Sequence, residues 1–240
     1  MKAELSDVER AHAIYTKRNL AVYDWWVLGF SNAWLWHCPT EKLLDLYRAH
    51  ITANHLEVGA GTGFFPAKTM PSAQPRLALL DINRNCLEKA AKRLVAFRPE
   101  LHQENVLEPL LIRGARFDSI AVNYVLHCLP GRLDQKAAAV FDHLAPHLED
   151  DGVIFGSTLL GLDIQRPLFA RMAMALYNRK GIFSNTQDSL GGLMEALSAR
   201  FRTFNVEVCG CAVIFWGKGL REAYRKTPLP NAAATSAAGG

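Results

Sequence analysis

The segment HLEVGAGTGFF, residues 55–65, decides what kind of fold this chain makes. A short apolar run leads into Glu57 and three glycines at alternate positions, Gly59, Gly61 and Gly63, and a helix-compatible run follows. That order describes a strand, a tight corner and a helix. Glycines at the corner let the backbone turn sharply and let a ligand lie against the main chain with no Cβ in the way. The spacing also excludes two common phosphate binders. A nicotinamide fingerprint has its third glycine one place later, where this chain has Phe64, and a P-loop ends in Gly-Lys-Ser/Thr, which is absent.

Outward from this corner, short apolar runs alternate with amphipathic stretches, the pattern of parallel strands joined by crossover helices. Strands are expected at residues 53–58, 77–81, 118–123 and 152–157, with a weaker one at 100–106. Leu87, Ala90, Ala91, Leu94 and Phe97 recur at helical spacing up to Pro99, and Ala137, Val140, Phe141, Leu144 and Leu148 do so before Gly152. Near the end, TFNVEV and CAVIFWG are separated only by Cys209 and Gly210, which predicts an antiparallel hairpin finishing the sheet. The last residues, 227–240, carry almost no bulky apolar side chain and are expected to be disordered.

Composition narrows the class further. A chain of 240 residues, half of them hydrophobic, can build one large core. Its 27 basic and 23 acidic residues are spread along the chain, so no single face calls for nucleic acid. Five cysteines, Cys38, Cys86, Cys128, Cys209 and Cys211, are an odd number with no C-x-x-C pair and no preceding signal peptide, as expected for reduced thiols in a cytoplasm. The apolar stretch Leu20 to Trp36 is interrupted by Asp24, Ser31 and Asn32, so stable membrane insertion is not expected. His143 and His147 stand four apart, but Pro146 disturbs that helix and no third ligand is evident, so no metal is expected.

The surroundings of the glycines are acidic. Glu57 sits within the motif, and the nearest following lysine is Lys68. An acid there disfavours a pyrophosphate and favours a ligand with a sulfonium and an ammonium, such as S-adenosylmethionine. The next strand, RLALLD, ends in Asp81, whose carboxylate can accept hydrogen bonds from both hydroxyls of an adenosine ribose.

With Glu57 to Gly63 and Asp81 in place, the chain resembles the class I S-adenosylmethionine-dependent methyltransferases over roughly residues 40–218. The resemblance implies a Rossmann-like, doubly wound α/β fold. Its seven-stranded sheet has an antiparallel last strand, helices on both faces and an N-terminal helical addition. It also implies that S-adenosylmethionine is cradled by Glu57, Gly59, Ala60, Gly61, Gly63, Asp81, Ile82, Asn105, Val106 and Asn123. His127, in the segment YVLHCLP after the fourth strand, lies close to where the methyl is expected. A neutral imidazole there could take an acceptor's proton; the other reading is that it packs against the cofactor or a loop.

A small organic acceptor is expected between two extra pieces of chain. One is residues 1–39, an aromatic lid before the domain at 40–220, from which Tyr15, Tyr23 and Trp26 would line the pocket. The other is the Met- and Phe-rich run between residues 160 and 185, which reads equally as a pocket wall or a core-facing helix. The segment Asn123, Tyr124, Val125, Leu126 lacks the Pro-Pro of base-amino methyltransferases, so a nucleic-acid acceptor is not expected. A protein acceptor, and a relative that binds the cofactor without methylating, stay open.

Overall fold

Strand and helix alternate as the apolar pattern requires, and the computed structural model describes them over residues 34–71, 74–114 and 116–225. Tyr15, Tyr23, Trp26, most of the expected lid and the tail at 227–240 lie outside the described residues. The first described helix, α1 (Thr40–His50), leads into β1 (Asn54–Val58), the glycine corner and the short α2 (Phe64–Thr69). Then come β2 (Arg76–Leu80), α3 (Arg84–Arg93), β3 (Glu100–His102), β4 (Phe117–Asn123) and α4 (Leu133–Leu144). The chain continues through β5 (Leu148–Leu159), α5 (Leu168–Arg179), α6 (Leu190–Arg200), β6 (Phe201–Cys209), β7 (Ala212–Leu220) and α7 (Glu222–Arg225).

Local chemistry fixes several boundaries. The Asn83 side chain accepts the Asn85 N–H at 2.9 Å to start α3, and Ser189 accepts the Gly192 N–H at 3.1 Å to start α6; such caps contribute about 1 kcal/mol each. Two expected boundaries move. The strand expected over 100–106 stops at His102, because Asn105 folds into a turn, its side-chain oxygen accepting the Leu107 N–H at 3.1 Å and its carbonyl the Glu108 N–H at 2.9 Å. Leu148 opens β5 instead of closing α4, since Pro146 tightens the chain into a 3-10 turn at Ala145–His147.

The sheet order is β3-β2-β1-β4-β5-β7-β6. The first five strands run parallel, and β7, the last in the chain, enters antiparallel between β5 and β6. The hairpin thus ends the sheet as expected, with β6 on the edge. Its turn residue Gly210 has φ +60°, and a Cβ there would meet the His37 and Trp36 carbonyls at 2.3 and 2.4 Å. The stretch before α1 therefore crosses the hairpin, and the Cys211 N–H donates to the Trp36 carbonyl at 2.7 Å.

Side chains alternate across β1: Leu56 and Val58 join the core under α4 and α6, while His55 and Glu57 point into the opposite layer, among residues of α1, α2 and β5. From β1 the chain winds outward to β3 and then returns across β1 to β4. That reversal leaves a crevice at the carboxyl ends of β1 and β4, where doubly wound sheets bind ligands.

One buried ion pair ties the loop before α6 to the rest. Lys136 Nζ on α4 lies 2.8 Å from Asp188 Oδ2 and donates to the Leu129 and Ser184 carbonyls at 3.0 and 2.6 Å. Burial pushes the Lys136 ammonium down and the Asp188 carboxyl up, and the charge of each partner works against that push on the other. Replacing Asp188 by Ala leaves an ammonium without its partner and should lower unfolding stability by about 3–5 kcal/mol. Urea denaturation measures this, and the double substitution Lys136→Met, Asp188→Leu should recover most of the loss.

Candidate active site

Three positive φ values, +71° at Gly59, +50° at Gly61 and +70° at Gly63, carry the chain from β1 into α2. At Gly59 a Cβ would also stand 2.4 Å from the Val125 side chain, so glycine is required there twice over. The corner borders an open cavity lined by Glu57, the Gly59–Thr62 loop, Phe64 to Pro66, and Asn123 with Tyr124.

Of the residues expected to hold a cofactor, Glu57, Gly59, Ala60, Gly61 and Asn123 meet on this cavity. Asp81 adjoins it from the end of β2, its Oδ2 accepting the Gly61 N–H at 3.4 Å and its Oδ1 the Asn83 N–H at 2.8 Å. Burial raises the Asp81 carboxyl to about 6, against the two backbone N–H groups and the Cys86 thiol that lower it. Gly63, Ile82, Asn105 and Val106 are off the cavity lining. The Asn105 side-chain amide donates to Glu108 at 3.0 Å, and Val106 is packed in the core.

Glu57 is only 3% exposed. The Tyr47 hydroxyl donates to its Oε1 at 2.6 Å, and His55 Nε2 lies 3.1 Å from its Oε2. No Lys or Arg among the described residues pairs with it. A buried carboxylate beside an open cavity, held by hydrogen bonds and without a lysine or arginine partner, is suited to a cationic ligand group. The cofactor's ammonium and sulfonium fit this donor set, and the glycine corner admits a ligand where a Cβ would obstruct it.

Asn123 ends β4 with its Oδ1 accepting the Ser157 hydroxyl at 2.5 Å. The next residue, Tyr124, sits in left-handed backbone at φ +56°, a strained conformation for an aromatic residue that concentrates at functional sites. From Tyr124 a run of rings leads away from the cavity. Tyr124 meets His127 edge-on at 5.7 Å, His127 meets Phe183 at 4.6 Å, and Phe183 meets Tyr177 and Trp36 at 5.0 and 6.1 Å. Tyr177 stands on α5, whose Ala170 and Met174 face the core while Leu168, Phe169 and Met172 are exposed.

His127 is buried. The Leu159 N–H faces its Nδ1 at 3.5 Å, which leaves the ring proton on Nε2. Burial, with the Lys136 charge behind it, pushes its pKa down to about 3, so the ring is neutral at physiological pH and a weak proton acceptor.

Sequence reasoning missed Tyr47, His55, Thr62, Phe65, Pro66 and Tyr124. His55 carried a signal, since it lies two residues before Glu57 and strand alternation puts both on one face. Tyr47 carried none, because only the packing of α1 on β1 brings it there.

A family model described as a methyltransferase domain matches residues 56–154. The physcion biosynthesis cluster O-methyltransferase of Aspergillus chevalieri is 38% identical over 216 residues, covering 88% of this chain and 96% of that protein. The demethylluteothin O-methyltransferase of Streptomyces thioluteus is 34% identical over 202 residues, 84% and 87% of the two chains. In fold, the N-methyltransferase NodS of Bradyrhizobium japonicum, solved with S-adenosyl-L-homocysteine, superposes with a TM-score of 0.59 at 15% identity, covering 85% of this chain and 95% of that one. With a glycine-lined cavity at the carboxyl edge of a seven-stranded sheet and relatives matched nearly end to end, this chain belongs to the S-adenosylmethionine-dependent methyltransferases.

Proposed function

We propose that the enzyme methylates a hydroxyl of a small, flat, largely apolar organic acceptor. The observation that carries this reading is the run of rings from Tyr124 through His127 and Phe183 to Tyr177 and Trp36, which continues from the cofactor cavity. Aromatic walls favour planar ligands and exclude water. The two relatives named for O-methylation support oxygen as the methylated atom.

S-adenosylmethionine supplies an activated methyl on a sulfonium. The chain's part is to hold and orient. Glu57 would receive the cofactor's ammonium and Asp81 its ribose hydroxyls, with Gly59, Ala60, Gly61 and Gly63 giving backbone clearance. Ile82, Asn105 and Val106 would border the adenine, and Asn123 the methionine end. Alignment of the acceptor behind the methyl supplies much of the acceleration in an in-line displacement. The low pKa of His127 and its contact with Leu159 support a wall role for that ring over a proton-accepting one. Residues 1–39 are proposed to close over the acceptor ahead of a domain at 40–220, with Tyr15, Tyr23 and Trp26 adding to the wall. The support is Trp36, where the described chain already meets Tyr177 and Phe183.

Incubation with S-adenosylmethionine and a panel of phenols and naphthols should give acceptor-dependent S-adenosylhomocysteine. Phe183→Ala should raise the acceptor KM about tenfold, roughly 1.4 kcal/mol, with cofactor affinity nearly unchanged. Equal loss of both would refute the ring wall.

Asp81 gives a pH signature. Burial holds its carboxyl near 6 in the free protein, and ribose hydroxyls donating to the carboxylate would lower that value in the complex. Binding then releases a proton in acid. Affinity for S-adenosylhomocysteine should be flat above about pH 7 and fall as pH drops below about 6, by up to tenfold per unit. Calorimetry across that range checks it, and Asp81→Asn should flatten the profile.

A further inference from the structure

We propose that Tyr47 and His55 are positioning residues that aim the Glu57 carboxylate at the cationic amino-acid end of the cofactor. This rests on the reading that Glu57 receives the cofactor's ammonium. Both carboxylate oxygens are engaged, Oε1 by the Tyr47 hydroxyl at 2.6 Å and Oε2 by His55 Nε2 at 3.1 Å. The Tyr47 phenol is held well above its ordinary range, by burial first and then by the Glu57 charge, so it keeps its proton.

His55 is held from its other side as well. Its Nδ1 lies 2.8 Å from Ser119 Oγ, which accepts the Thr52 N–H at 3.0 Å. The Thr52 hydroxyl, 2.9 Å from Ser119 Oγ and 3.0 Å from the Asn54 carbonyl, closes the chain of hydrogen bonds.

The donors are also immobile. The Tyr47 ring stacks on Phe65 at 4.8 Å and meets Phe155 edge-on at 5.0 Å, and His55 stacks on Phe155 at 5.9 Å. Phe65 lines the cofactor cavity as well. An arginine or lysine in place of either donor would have neutralised Glu57 and removed its preference for a cationic ligand. Two donors on packed rings fix the direction in which the carboxylate faces the ligand.

Two ligands separate this role from general packing. S-adenosylhomocysteine carries the ammonium, whereas 5′-methylthioadenosine has the same adenosine and thioether without the amino-acid end. Calorimetry on Tyr47→Phe and on His55→Gln, each verified as folded by circular dichroism, should show S-adenosylhomocysteine binding weakened about tenfold and 5′-methylthioadenosine binding within about twofold of the parent. Should Tyr47→Phe not fold, His55→Gln carries the test alone. Unchanged binding of both ligands, or equal weakening of both, overturns the inference. Glu57→Gln distinguishes the two levels. If it leaves S-adenosylhomocysteine affinity intact, the placement of the ammonium is wrong and this inference falls with it; if it weakens that affinity while the other two variants do not, only the positioning role fails.

Discussion

A carboxylate withdrawn from water with no lysine or arginine beside it among the described residues is the constraint around which this site is built. Taking Glu57 into the interior costs several kcal/mol, and hydrogen bonds from Tyr47 and His55 offset only part of that. The remainder is tolerated because the carboxylate borders an open cavity instead of a sealed core. The neighbouring elements follow from the same requirement. Helix α1 must pack so that Tyr47 reaches the end of β1, and β4 must present Ser119 level with His55, which the parallel register of those strands provides.

The cavity itself is a product of topology and backbone conformation. Reversal of the winding direction between β1 and β4 parts the loops at their carboxyl ends. Left-handed residues on both sides hold the gap open, glycines on the β1 side and Tyr124 on the β4 side. Gly59 fits against Val125, so the two loops are packed on each other and support one geometry. Beyond the gap, the Lys136 and Asp188 pair fixes the loop that follows Phe183, and with it the far end of the ring wall.

Much of this was legible in the residues. The alternation of apolar runs, the glycine spacing and the position of Asp81 depend on short-range pattern, and each specified its place in the sheet. Asn123 likewise follows from ending a buried strand. What pattern could not reach depends on elements far apart in the chain. His127 read equally as base or packing because its character is set by Leu159, Phe183 and Lys136, which only the folded sheet brings together. That the Asn105 side chain also closes a local turn was not readable either, although asparagine readily enters such turns. The run between residues 160 and 185 read as core helix or pocket wall, and α5 has a core face that also carries Tyr177 into the ring wall, a combination that helical spacing does not separate.

The interaction at the centre of this arrangement can be observed directly. A crystal structure of the complex with S-adenosylhomocysteine should place the ligand's ammonium within about 3.5 Å of the Glu57 carboxylate, with Tyr47 and His55 still donating to it. An ammonium bound elsewhere, or a Glu57 that turns away from the ligand to a lysine or arginine, would contradict it.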